Sequence, residues 1–153
     1  MNIDDTDKKI LEILQGDARI TNVNLASKVG ISPPAMLERV KRLESNGIIR
    51  KYAALIDPEK IGRNTFALLS VTLSMHQISS IDVFIKAIKK LDEVLECYHV
   101  TGNSDFLLKV AVRDIREYEQ FILKKLTKIK GVNKINTSFV LSSFKYQTKL
   151  KLD

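Results

Sequence analysis

The hydrophobic period of this chain changes once, and that change sets what it can fold into. Up to Gly47 apolar residues recur at helical spacing; from Phe66 they alternate with polar ones. The first pattern lays an apolar stripe along a helix, the second an apolar face along a strand. Between them "IDPEKIGRNT" carries Pro58, Gly62 and Asn64, the chemistry of a turn or linker. A length of 153 residues suits one ordinary domain or two small ones. The expected division is a helical domain over 1–52, a strand and hinge over 53–64, and a sheet domain over 65–153.

The first part reads as three helices. "DTDKKILEILQ" opens with Asp5 and Thr6 as capping residues and carries Ile10, Leu11, Ile13 and Leu14. "TNVNLASKVG" gives a shorter helix, with Thr21 as its cap and Gly30 as its stop. In "ISPP", Ser32 is the expected N-cap. Pro33 and Pro34 fall in the first turn, where a missing N–H costs no hydrogen bond. This third helix ends at "SNG". At 100° per residue Met36, Leu37, Val40 and Leu43 fall on one face, expected to dock on the other helices. Pro34, Ala35, Glu38, Arg39 and Arg42 fall opposite and are expected to point outward.

Helix, glycine turn and helix, with the small Ala26 at the crossing, is a helix-turn-helix pattern. The second helix of such a pair enters the DNA major groove. Short residues at its start (Ser32, Pro33, Pro34 and Ala35) allow close approach to base edges. Glu38, Arg39, Lys41 and Arg42 can reach bases or phosphates. "IIRKYAALI" alternates as a strand, with Arg50 and Lys51 placed for flanking phosphates. A helix pair with a solvated basic face is the competing reading, and periodicity alone does not separate the two. Net charge of +7 is compatible with a polyanion partner without requiring one. Lys124, Lys125, Lys128 and Lys130 sit on another element and read as a solvated helix face.

From residue 66 the order is strand (66–75), helix (79–91, capped by Ser79, with Val83, Phe84, Ala87, Ile88 and Leu91 inward), strand (94–101), turn "GNSD", strand (106–112), helix (114–129, capped by Asp114) and strand (132–144). This is the βαββαβ order of a ferredoxin-like sandwich, so the fold class is α+β. Both helices cover one sheet face. The other face keeps apolar residues, and a dimer burying sheet against sheet is expected.

No run approaches the ~18 consecutive apolar residues of a membrane span. The start of the chain lacks the basic region and apolar block of a secretion signal, and a single cysteine, Cys97, rules out an internal disulfide. A cytoplasmic protein with no membrane partner is expected. His76, His99 and Cys97 show no metal-site spacing, and no cofactor, metal or catalytic residue is expected.

Taken together, "DDTDKKILEILQGDARITNVNLASKVGISPPAMLERVKRLESNGIIRKYAALIDPEKIG", "ECYHVTGNSDFLLKV" and "TSFVLSSFKYQTKL" resemble the Lrp/AsnC family, the leucine- and asparagine-responsive "feast/famine" regulators. The resemblance covers nearly the whole chain. It implies a winged helix-turn-helix domain that binds double-stranded DNA. It also implies a C-terminal domain that senses a small amino acid, and dimers that assemble further, commonly to octamers. The family's Gly-x-x-Asp falls on Gly102-Asn103-Ser104-Asp105, with Thr101 and Ser138 as further candidates for effector binding. A glycine turn can offer N–H groups to an α-carboxylate, and Asp105 can pair with an α-ammonium. On composition alone "GNSD" is equally a hairpin turn. Met36 stands where many members carry a small residue or cysteine, a difference that bears on packing. Two rival functions are an architectural DNA binder without an effector and a tetrapyrrole decarboxylase of the same fold using histidines.

Overall fold

The computed structural model describes residues 3–74 and 78–152. Met75 and His76, expected in the first strand and among the rival enzyme's histidines, lie outside the described residues. The chain forms two units, residues 1–55 with 145–153, and residues 56–144. The last nine residues, expected with the sheet domain, thus belong to the helical unit. The Gln15 side chain is the reason: its amide donates to the Leu150 carbonyl (3.0 Å) and its oxygen accepts from the Leu150 N–H (2.6 Å). Leu152 packs against the helical core.

In the helical unit α1 spans Asp5–Gly16, α2 Asn22–Val29 and α3 Pro33–Ser45. The N-cap of α1 is Asp4, one residue before the expected Asp5 and Thr6. Asp4 accepts from the Asp7 N–H (2.7 Å), and Asp7 reaches back to the Asp4 N–H (3.4 Å), a reciprocal capping box. Thr21 caps α2 as expected, accepting from the Asn24 N–H. Gly30 follows at φ 85°, a left-handed conformation that glycine adopts without strain, and its N–H closes on the Ala26 carbonyl. Ile10, Leu11, Leu25, Ala26, Met36, Val40 and Leu43 form the core. Leu37, expected inward, is 43% exposed. The buried residues of α3 centre on Met36, Val40 and Leu43, which leaves Leu37 about a quarter-turn away.

The strand expected over "IIRKYAALI" is not formed. Ile48 and Ile49 instead close the end of α3 by donating to the Leu43 carbonyl, and no strand is assigned from 50 to 57. An extended segment becomes a strand only with a hydrogen-bonding partner, and none of the described residues supplies one. Tyr52 turns back to α3, its hydroxyl donating to Glu44 (2.9 Å). Burial, and then the Glu44 carboxylate, push the Tyr52 phenol up to about 12. The folded state holds the phenol neutral, so this contribution to stability is complete below pH ~10 and disappears as pH rises through about 12. An absorbance titration of tyrosinate is expected to show a late component near pH 12 that Tyr52→Phe removes.

The second unit is a four-stranded antiparallel sheet in the order β2-β3-β1-β4, from β1 (Thr65–Leu73), β2 (Val94–His99), β3 (Phe106–Val112) and β4 (Val132–Phe139). Helices α4 (Ile78–Ile88) and α5 (Ile115–Lys124) cover one face. Ala67, Leu69, Val71 and Leu73 of β1, Phe106, Leu108, Val110 and Val112 of the strand beside it, and Phe84, Ile88 and Phe121 of the helices make this core. The ferredoxin-like order is as expected, with shorter elements. Ser79 lies inside α4 rather than capping it, and Val83 is exposed because the buried stripe runs through Phe84 and Ile88. Helix α5 yields at Lys125 to a 3₁₀ turn, Leu126–Lys128. The last strand stops at Phe139 rather than 144. Beyond it Leu141 and Phe144 are 96% and 97% exposed.

Candidate DNA-binding and effector-binding sites

Helix α3 is built to present one side. Ser32 occupies the N-cap position as expected, but its hydroxyl makes no capping bond. Pro33 and Pro34 fill the first two helical positions and are exposed, so the start of α3 stays accessible. Opposite the buried residues stand Pro34, Glu38, Lys41 and Ser45, all exposed, with Leu37 alongside. Ala35 is half-buried. Arg50 and Lys51 are exposed just after the helical core.

Of the two arginines expected outward, Arg39 is half-buried and Arg42 is exposed, and both also reach toward α1. Arg39 and Arg42 converge on Asp7, the one charged side chain buried among the described residues, with no exposure at all. Arg42 Nη2 donates to both Asp7 oxygens (2.9 and 2.8 Å). Arg39 Nη1 donates to Asp7 Oδ1 (2.8 Å) and to Asp4 Oδ2 (2.7 Å). The cause is geometric. Both arginines flank the buried stripe of α3, and Asp7 stands on the buried stripe of α1, one turn before Ile10 and Leu11. Burying a lone carboxylate is costly, so it is found with charged donors. The Arg39 guanidinium bonded to Asp4 holds that carboxyl below the usual carboxylate range, and the two carboxylates, Asp4 first, hold Arg39 protonated. Asp7 was not singled out from sequence, although a charge on the apolar stripe of α1 was visible there.

The loop 100–105 joins β2 to β3 and is fastened to the end of β1. The β1–β3 ladder ends at Val71–Phe106. Asp105 extends it: its N–H donates to the Val71 carbonyl (3.0 Å), and its Oδ2 accepts from the Leu73 N–H (2.7 Å). The Val100 N–H closes the loop onto the Asp105 carbonyl, and the Thr72 hydroxyl makes a long contact with the Asn103 carbonyl (3.5 Å). Gly102 turns at φ 116°, in the positive region that side chains avoid. Thr101, Gly102, Asn103, Ser104 and Asp105 are thus one local cluster. Ser138 is not part of it in the single chain. It pairs with Leu68, toward the other end of β1 from Leu73, which at ~3.4 Å per residue is roughly 17 Å away.

On the sheet face away from the helices stand Phe66, Leu68, Ser70 and Thr72 with Leu107 and Lys109. Glu96 there takes the Lys109 ammonium (3.1 Å) and the Tyr98 hydroxyl (2.9 Å). Burial works against its charge, yet these two donors hold its carboxyl below the ordinary range. On the helix side His99 stacks on Phe106, and burial pushes the neighbouring Cys97 thiol up, away from a reactive thiolate. Among the described residues no group of three His, Cys, Asp or Glu is gathered for a metal, and no helix is long and apolar enough to cross a membrane.

Comparison with known proteins identifies both domains. Residues 3–50 match the winged helix-turn-helix DNA-binding model, and residues 67–150 the Lrp/AsnC ligand binding domain. The transcriptional regulator AzlB of Bacillus subtilis (strain 168) is 38% identical over 151 residues, 99% of this chain and 96% of that one. The leucine-responsive regulatory protein of Escherichia coli (strain K12) is 37% identical over 149 residues, 97% of this chain and 91% of that one. The crystal structure of transcriptional regulator NMB0573 of Neisseria meningitidis, solved in complex with L-Met, superposes with a TM-score of 0.94 at 38% identity, covering 99% of this chain and 98% of the other. The chain belongs to the Lrp/AsnC family of transcriptional regulators, with a DNA-binding helix-turn-helix and a ligand-binding domain.

Proposed function

We propose that α3 reads the major groove through Pro34, Leu37, Glu38 and Lys41, with Ser32, Pro33, Arg50 and Lys51 facing phosphates, and that a small amino acid bound at the 100–105 loop regulates this. The observation that carries the reading is the exposed, uncapped start of α3 held by a left-handed glycine turn. Glu38 can accept from cytosine N4, Leu37 can meet a thymine methyl, and Lys41 can reach phosphate. For the effector, the N–H groups of the Gly102 turn suit a carboxylate and Asp105 an ammonium. Asp105 Oδ2 already takes one N–H, but a carboxylate accepts several bonds. The L-Met complex of the Neisseria regulator supports this class of effector.

A dimer through the open sheet face, assembling further to an octamer, fits the apolar residues there and the exposed segment after β4. Ser138 would then enter an effector site only from a neighbouring protomer. A symmetric dimer pairs two α3 helices with two half-sites, as regulators of this type require. The protein acts in the cytoplasm as a regulator and not as an enzyme, in keeping with its relatives, and needs no cofactor.

The test enriches a preferred duplex from a random-sequence pool with the wild-type chain and compares it with a shuffled duplex. Lys41→Ala is expected to weaken both and to reduce the salt slope by about 0.9. Glu38→Ala is expected to cost about 1–3 kcal/mol at one base pair of the preferred duplex alone. Enrichment that yields no preferred duplex would instead favour the architectural reading.

A further inference from the structure

We propose that Asp7, which lies on α1 and touches no DNA, is a specificity-determining positioning residue that acts through Arg39 and Arg42. The inference rests on the placement of α3 in the groove. An exposed guanidinium is a mobile cation that binds any phosphate within reach. Here both guanidiniums of α3 are held by one fully buried carboxylate. Arg39 is bound on two sides, by Asp4 and Asp7, and its side chain is 28% exposed. Arg42 is bound on one edge only, through Nη2, and its side chain keeps 45% exposure. No carboxylate or carbonyl of a described residue takes its Nε or Nη1.

The arrangement does two things at once. It offsets part of the positive charge on the flank of α3, which lowers attraction for duplexes in general. It also limits the reach of the Arg42 guanidinium, because Nη2 is anchored to both oxygens of a buried carboxylate and the charged group cannot swing freely to any phosphate. Arg42 thus meets a phosphate or a base edge within that reach or not at all. Specificity arises from the difference between matched and unmatched duplexes, and a restrained cation widens that difference.

The experiment is Asp7→Asn in the full chain, measured against the enriched and the shuffled duplex over a range of salt concentrations. The side-chain shape is kept and the charge is lost. Binding to the shuffled duplex is expected to tighten, with its salt slope steeper by about 0.9 for each arginine released to a phosphate. The ratio of the two affinities is expected to fall by roughly tenfold, the effect of one mismatched base pair. A uniform loss on both duplexes with an unchanged slope would overturn the proposal, since it would leave Asp7 a purely structural part. An unchanged ratio in a folded variant would overturn it too. Should circular dichroism show Asp7→Asn unfolded, Arg42→Lys decides instead. It keeps the charge and replaces the planar guanidinium anchored at Nη2 with a freely rotating ammonium, so the ratio is expected to fall while the salt slope holds; an unaltered ratio there refutes the proposal.

Discussion

Phe84→Ala is expected to destabilise the sheet unit by about 3–5 kcal/mol while leaving the helical unit folded. Phe84 has no exposed surface, and its ring lies 4.5 Å from that of Phe106 at a tilt of 37°. Truncation removes the buried apolar area, leaves a cavity between α4 and the sheet, and loses an aromatic pair worth about 0.5–1.5 kcal/mol of that total. That is a large fraction of the roughly 5–15 kcal/mol that holds a small domain folded. The helical core, built from Ile10, Leu25, Met36 and Leu43, shares no buried residue with the sheet core. Urea unfolding should therefore separate into two transitions. Backbone amide protection of Leu69 and Leu108, paired between β1 and β3, reports the sheet unit and should be lost at lower urea. Amide protection of the buried Val40 and Leu43 reports the helical unit and should keep its midpoint. A single transition moving both probes together would show that the two cores stabilise one another.

The second large effect is expected at Asp105. Asp105→Ala removes the acceptor of the Leu73 N–H, a charge-assisted bond worth about 1.5–3 kcal/mol, and leaves the loop held to β1 by backbone contacts alone. The same carboxylate is the proposed partner of the effector's ammonium. Stability and response should then fall together, which by itself does not separate the two roles. Asp105→Asn separates them. Its amide oxygen can still accept from Leu73, so most of the stability should return, while the charge needed for the ammonium stays absent. Calorimetry with the standard amino acids is expected to show binding to wild type and none to Asp105→Asn. Full binding by the Asn variant would confine Asp105 to fastening the loop.

How much of this was legible in the sequence depended on whether a feature was local. Caps and stops are local, and Thr21, Gly30, Asn46 and Asp114 stand where their chemistry put them. Strand alternation located the buried face of β1, because Ala67, Leu69, Val71 and Leu73 point one way whatever their partners. Apart from the caps misplaced at Asp5, Thr6 and Ser79 and the faces misjudged at Leu37 and Val83, the errors came where the outcome depends on a distant residue. The pairing of Arg39 and Arg42 with Asp7 went unread because a helical wheel shows one helix at a time, and their partner is some thirty residues upstream. The segment after Gly47 alternates as a strand does, yet pairing requires another edge. Ser138 follows the family pattern, but its register opposite Leu68 is set by the β1–β4 pairing and takes it away from the Gly102 turn. That Asp105 fastens its loop to the end of β1 could not be read either, since nothing near it in sequence points to Leu73.

The Gln15–Leu150 clamp has a consequence for how the molecule is made. Because residues 145–152 belong to the helical unit, the whole sheet unit is, topologically, an insertion within it. The three helices leave the ribosome first, since synthesis runs from the N-terminus. Their core gains the Leu152 contact only after the sheet unit has been translated. The part of the protein that meets DNA therefore begins to fold before the sheet unit and is completed after it.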